Sequence, residues 1–152
     1  MICTTPEGQL NAVPTKTGEV KSLTHDQINH GPTQGFPDEK QIAFLGQEPG
    51  RGQRIYVQDV NGGAPRAITP QGTGLNFRLS PDEKRFAVAM DTDFKIAIYP
   101  VSGGDSQSVA GIEAGEVPAA WSPDGRFLYC YRLGSVPVDV FQVEVATGRR
   151  IA

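Results

Sequence analysis

Short apolar runs alternate with turn signals along the whole chain. RIYVQDV (54–60), RFAVAM (85–90), KIAIYPV (95–101) and RFLYCYRL (126–133) are rich in β-branched and aromatic residues and are bounded by Gly, Pro, Asn, Asp and Ser. They are too short for ordinary helices, so the pattern predicts strands. The runs differ in polarity. Phe86-Ala87-Val88-Ala89 is wholly apolar, as befits a strand covered on both faces. The segments EVKSLT, PRAIT, SQSVA and RRIA are thin and polar, as befits an outer strand at a solvated edge.

These runs recur on a fixed beat. FPDEKQIAF, SPDEKRFAV and SPDGRFLYC align on Pro37, Pro81 and Pro123, which are 44 and 42 residues apart. A second motif keeps the same period: LNAVPTKTGEVKSLT, IYVQDVNGGAPRAIT, IAIYPVSGGDSQSVA and VFQVEVATGRRIA align on Gly18, Gly63, Gly104 and Gly148, at steps of 45, 41 and 44. Ser122-Pro123-Asp124-Gly125 carries the residue preferences of a type I turn: Pro presets φ, Asp bonds its own backbone, and Gly closes the turn. Asn61-Gly62-Gly63 and Ser102-Gly103-Gly104 supply the positive φ of tight hairpins.

One period therefore reads inner strand, SPD turn, buried strand, loop, buried strand, Gly turn, polar outer strand. Four strands per 40-odd residues, repeated, predict the blades of a β-propeller. The expectation is an all-β chain of about 3.75 four-stranded blades, with a partial blade at 1–30 and fuller blades at about 31–70, 71–112 and 113–152. Such an arc is open, as a fragment of a larger propeller, or completed by a second copy as a homodimer, or closed alone as a strained four-bladed disc missing one strand.

Composition narrows the function classes. The 152 residues carry a net charge of -3 with no basic cluster, so the footprint of a nucleic-acid binder is missing. No apolar run approaches the ~20 residues of a membrane span. MICTTPEGQL is not a secretion signal, and compartment stays open. Cys3 and Cys130 lie 127 positions apart and make neither a metal pair nor a disulfide framework.

The repeat resembles the TolB-type propeller repeat, whose hallmark is a Ser-Pro-Asp-Gly-Lys/Arg turn followed by an apolar strand. Ser122-Pro123-Asp124-Gly125-Arg126 matches throughout, with Trp121 in the aromatic position before it. Ser80-Pro81-Asp82-Glu83-Lys84 departs at Glu83, and Phe36-Pro37-Asp38-Glu39-Lys40 departs at both Phe36 and Glu39. The resemblance implies a rigid disc that presents loops to partners, as in TolB-like scaffolds and sensor domains, or that gates a neighbouring prolyl-oligopeptidase-like hydrolase domain. It also favours a periplasmic or otherwise extracytoplasmic setting.

Candidate chemistry is sparse. His25, Asp26 and His30 in HDQINH offer metal- or proton-handling side chains, but too few strong ligands for a metal centre. Asp91-Thr92-Asp93 reads as a hairpin tip without the ligand count of a calcium loop. Arg51 and Arg54, beside Glu48-Pro49-Gly50, suit an acidic partner rather than a phosphate cradle, because no Gly-Lys-Ser/Thr follows. No G-x-S-x-G elbow is present. The expectation is therefore a chain with no catalytic residues, no metal and no cofactor. It binds a protein or peptide partner through the loops HDQINH, LGQEPGRGQR and LGSVPVD, with His25, Asp26, His30, Arg51, Arg54, Asp91 and Asp93 as binding candidates. The alternative is a substrate-gating propeller of a serine peptidase. A weaker expectation is a central-channel ligand met by Asn76, Arg78 and Glu116.

Overall fold

In the second and third copies of the repeat, the turns form by the side chain of one residue closing on the backbone of another. Ser80 donates its hydroxyl to Asp82 and accepts the Arg85 N–H at 3.0 Å, while Asp82 accepts the Lys84 N–H at 3.2 Å. Ser122 and Asp124 repeat the arrangement, with the Phe127 N–H at 2.9 Å and the Arg126 N–H at 3.1 Å. In the first copy Phe36 has no hydroxyl, and Asp38 alone caps the Lys40 N–H at 3.0 Å. In all three the fourth position is left-handed: φ is 58° at Glu39, 58° at Glu83 and 68° at Gly125.

The computed structural model describes residues 1–91 and 95–151. Among them every regular element is a strand. The chain divides into two compact units, Met1–Gln71 and Gly72–Ala152.

The first unit holds two antiparallel sheets. Sheet 1 is β1 (Ile2–Thr4), β2 (Leu10–Ala12) and β3 (Lys21–Ser22), in that order. Sheet 2 is β4 (Asn29–Gly35), β5 (Gln41–Gln47), β6 (Arg54–Asp59) and β7 (Arg66–Ala67), again in chain order. Their shared core is Leu10, Leu23, Ile28, Ile42, Phe44 and Tyr56. A buried threonine locks each outer strand inward: Thr24 accepts the Leu10 N–H at 2.8 Å, and Thr69 accepts the Ile55 N–H at 2.9 Å.

The second unit holds sheet 3, with β8 (Thr73–Leu79), β9 (Arg85–Met90), β10 (Ile96–Pro100) and β11 (Gln107–Ser108). Sheet 4 follows with β12 (Glu116–Trp121), β13 (Phe127–Arg132), β14 (Val140–Glu144) and β15 (Arg150–Ile151). Ala87, Ile96, Ile98 and Val109 pack against Trp121, Leu128, Cys130 and Val143 between them. Polar contacts reinforce the packing. Arg78 donates to the Ala119 carbonyl at 2.6 Å, and the Trp121 indole N–H donates to the Arg78 carbonyl at 3.0 Å. The inner strands β4, β8 and β12 each carry a register shift against their neighbour. Pro32 and Pro118 sit at two of these irregularities, where a missing N–H is tolerated.

Candidate binding surface

In the first unit, the β3–β4 connection holds His25 and Asp26 and the β5–β6 loop holds Arg51, whereas Arg54 is the first residue of β6 and not a loop residue. Asp26 is half-buried and acts locally: its Oδ1 accepts the Ile28 N–H at 2.9 Å, an Asx turn that starts the chain into β4. Gln9 clamps the same connection, donating to the Asp26 carbonyl at 3.0 Å and accepting the Asp26 N–H at 3.2 Å. His30 belongs to β4 rather than to the loop, and it is buried. Its Nδ1 lies 2.6 Å from the Gly8 carbonyl, which only accepts, so Nδ1 carries the proton. Nε2 then faces Asp26 Oδ2 at 3.6 Å, beyond hydrogen-bond length. With its ring 4.5 Å from that of Phe44, His30 is a packing and pinning residue.

Arg51 and Arg54 gather about a different group. Phe44 stacks on Tyr56 at 5.5 Å, and the Tyr56 hydroxyl donates to Glu48 at 2.6 Å. Arg51 Nε sits 3.3 Å from the other Glu48 oxygen. The Tyr56 hydrogen bond, then Arg51 and Arg54, hold the Glu48 carboxyl below its usual range. Burial, then donation to Glu48, push the Tyr56 phenol up to about 12. The loop is thereby fixed as a tyrosine-capped hairpin, with Arg51 exposed on it. His25 is exposed, with no site built round it.

In the second unit, Asp91 is exposed beside Gly74, and its N–H donates to the Gly72 carbonyl at 3.0 Å. Asp93 lies outside the described residues. The channel expectation fails for two of its three residues. Arg78 is spent on backbone carbonyls, at 2.6 Å to Ala119 and 2.7 Å to Phe77. Glu116 has a side chain only 1% exposed and is engaged by Arg150, Arg132 and the Glu113 N–H. Cys3 and Cys130 are free thiols. Among the described residues no three His, Cys, Asp or Glu side chains gather as a metal site.

The most exposed apolar surface of this unit surrounds the β13–β14 loop. Val136 is 93% exposed, Val138 56% and Leu133 53%, and Leu75 on β8 is 61% exposed. Leu75 and Leu133 line one small cavity of about 100 Å³ together with Met90, Asp91 and Val117. Arg132 and Glu113 pair beside it. The loop LGSVPVD was legible as a binding candidate. Leu75, on a separate strand, had no signal to join it to that loop.

Three comparisons with solved structures bear on this arrangement. The Acinetobacter baumannii TolB matches at 21% identity and TM-score 0.72, over 93% of this chain and 36% of that one. A protein assigned as TolB from Agrobacterium tumefaciens matches at 20% identity and TM-score 0.71, over 95% of this chain and 54% of that one. This chain has the TolB-type β-propeller fold. The β-propeller domain of the trilobed protease from Pyrococcus furiosus, described as having an open velcro topology, matches at 15% identity and TM-score 0.55, over 84% of this chain and 42% of that domain. The TolB-type propeller segment thus spans 36% and 54% of the two TolB chains it matches. No protein-family model and no curated protein matches it.

Proposed function

We propose that this propeller segment is a non-catalytic module that binds a protein or peptide partner. The observation that carries the reading is the set of exposed aliphatics Leu133, Val136 and Val138 in and at the start of the β13–β14 loop, with Leu75 sharing a cavity with Leu133 and the Arg132–Glu113 ion pair adjoining Leu133. Single exposed aliphatics are ordinary, but several on one loop and its neighbouring strand mark an interaction surface. An apolar centre with a polar rim is the usual anatomy of such a surface. The Ser80 and Ser122 hydroxyls are committed to turns, on Asp82 and Asp124. Pairing of two copies into a larger ring belongs to the same reading, and sedimentation as a monomer would count against it.

The test is peptide display selection on the purified chain, followed by titration of the enriched peptides. Leu133→Asp and Val136→Asp are expected to abolish binding while the circular dichroism spectrum is unchanged. Failure to enrich any peptide, binding indifferent to both substitutions, or substrate turnover by the chain itself would overturn the proposal.

A second reading is favoured by the likeness to the propeller of the trilobed protease: a gating propeller for a peptidase. It requires a hydrolase domain encoded in the same reading frame, and sequencing the flanking gene decides it.

A further inference from the structure

In a regular strand Leu75 would share the side of Phe77 and Leu79, which are 4% and 9% exposed, yet it is 61% exposed. The cause is a break in the β8–β9 register. Thr73 pairs with Met90 and Phe77 with Val88, so Gly74, Leu75 and Asn76 all stand opposite Ala89. An irregularity of this kind bends a strand and re-aims its side chains.

The cavity of about 100 Å³ between sheets 3 and 4 lies at this break. Met90 and Val117, 8% and 5% exposed, are its buried walls, and Leu75 and Leu133 are its exposed ones. Sites for whole small molecules run from roughly 300 Å³ upward. This one has room for a single aliphatic side chain. Asn76 lines it too, and its amide offers a donor and an acceptor to a peptide backbone.

Asp91 is the uncommitted charge at this cavity. Its carboxylate lies against Gly74, where a Cβ would stand 2.7 Å from Asp91 Oδ1 and 2.8 Å from the Ala89 carbonyl. The missing side chain at Gly74 is what admits the carboxylate to the cavity wall. Among the described residues no side chain bonds or pairs with it. The other charges are spent on one another: Glu116 on Arg150 and Arg132, and Arg132 on Glu113 as well. Asp91, Glu113 and Glu116 against Arg132 and Arg150 leave one negative charge, and Asp91 carries it.

We propose that the second unit selects peptides in which an aliphatic residue adjoins a lysine or arginine, the aliphatic side chain entering the cavity beside Leu75 and the cation pairing with Asp91. The inference rests on the reading that this surface takes a peptide, and it adds what that peptide must contain. The cavity supplies affinity, because the side chain leaves water for the walls of Met90 and Val117. Asp91 supplies choice. It attracts a basic neighbour of the anchor and repels an acidic one, and that repulsion is half of the discrimination.

The experiment is a selection from a displayed library of random peptides on the full chain, run on the unaltered chain and on Asp91→Lys. The unaltered chain is expected to enrich sequences that set Leu, Ile or Val beside Lys or Arg. In a synthetic peptide of the most enriched sequence, alanine in place of the aliphatic residue is expected to weaken binding at least roughly tenfold. Glutamate in place of the basic residue is expected to weaken it severalfold, and that effect shrinks as salt is raised. Asp91→Lys is expected to keep the aliphatic preference and exchange the basic one for an acidic one. Asp91→Asn, which loses the charge preference without reversing it, serves if the lysine variant fails to fold. Enriched peptides that lack the pair, an unchanged charge preference in the Asp91 variants, or a uniform loss for basic and acidic peptides alike would each overturn this inference and leave peptide binding itself standing. Enrichment of no peptide would remove both.

Discussion

Arg150 on the outer strand β15 forms a two-pronged ion pair with Glu116 on the inner strand β12. Its two terminal nitrogens lie 3.0–3.1 Å from the carboxylate oxygens, and its guanidinium lies 3.8 Å over the Phe141 ring on the way. The pair joins the first and last strands of sheet 4 across the sheet face. Arg132 and the Glu113 N–H complete the shell.

A buried carboxylate stripped of its main partner is costly. Arg150→Ala is expected to destabilise the chain by about 3 kcal/mol, whereas Glu116→Met combined with Arg150→Met recovers most of the loss. Urea unfolding of both variants checks this. Equal loss in the two would mean that packing over Phe141, not charge, is the larger contribution.

The turns hold two non-glycine residues in the left-handed region. Glu39 and Glu83, both at φ 58°, stand where the third copy has Gly125 at φ 68°. A side chain there costs roughly 1–2 kcal/mol relative to glycine, partly offset by the freedom glycine gains on unfolding. Glu83→Gly is expected to stabilise by about 0.5–1 kcal/mol and Gly125→Glu to destabilise by about 1–2 kcal/mol. Thermal denaturation of each variant measures the sign directly.

Acid and alkali should weaken the fold through different groups. The Ser80 hydroxyl holds the Asp82 carboxyl below its usual 3.8, the Ser122 hydroxyl does the same for Asp124, and the Thr147 hydroxyl holds Glu144 below 4.5. A depressed carboxyl contributes stability that is whole above its unfolded pKa and is lost as pH falls through the folded one. The loss therefore begins near pH 4, and Asp82→Asn with Asp124→Asn makes it shallower. Tyr56 has the opposite sign: raised from 10.0 to about 12, it contributes below pH 10, and the contribution is lost between about pH 10 and 12. Tyr56→Phe makes the alkaline loss shallower, and the buried Cys130 thiol, raised from 9.0 to about 12, supplies the rest of it. Melting curves from pH 3 to 12 test both limbs.

The two thiols should react unequally. Cys130 is fully buried, and burial, with Glu116 adding to it, pushes its thiol up to about 12. Cys3 is only half-buried. A disulfide reagent at neutral pH is expected to titrate one thiol in the native chain and two in urea. Rapid modification of both in the native chain would show that sheet 4 opens readily.

The strand order was legible because each turn writes itself locally. Pro37, Pro81 and Pro123 and the aligned glycines mark where the chain reverses, and the apolar runs between them have no other regular structure open to them. The site was less legible. HDQINH reads as a polar loop, yet His30 enters β4 because its ring is held by the distant Gly8 carbonyl and by Phe44. Arg150 sits in the thin polar segment RRIA, and nothing near it announces Glu116, 34 positions away.

The repeat by itself determined the elements, their order and the fold, since strand, turn and period are decided by neighbours within a few residues. The tertiary structure decided which polar groups are free and which are committed. It turned Glu116 and Arg78 inward to partners on other strands. Burial and partnership depend on residues far apart in the chain, and no local pattern carries that information.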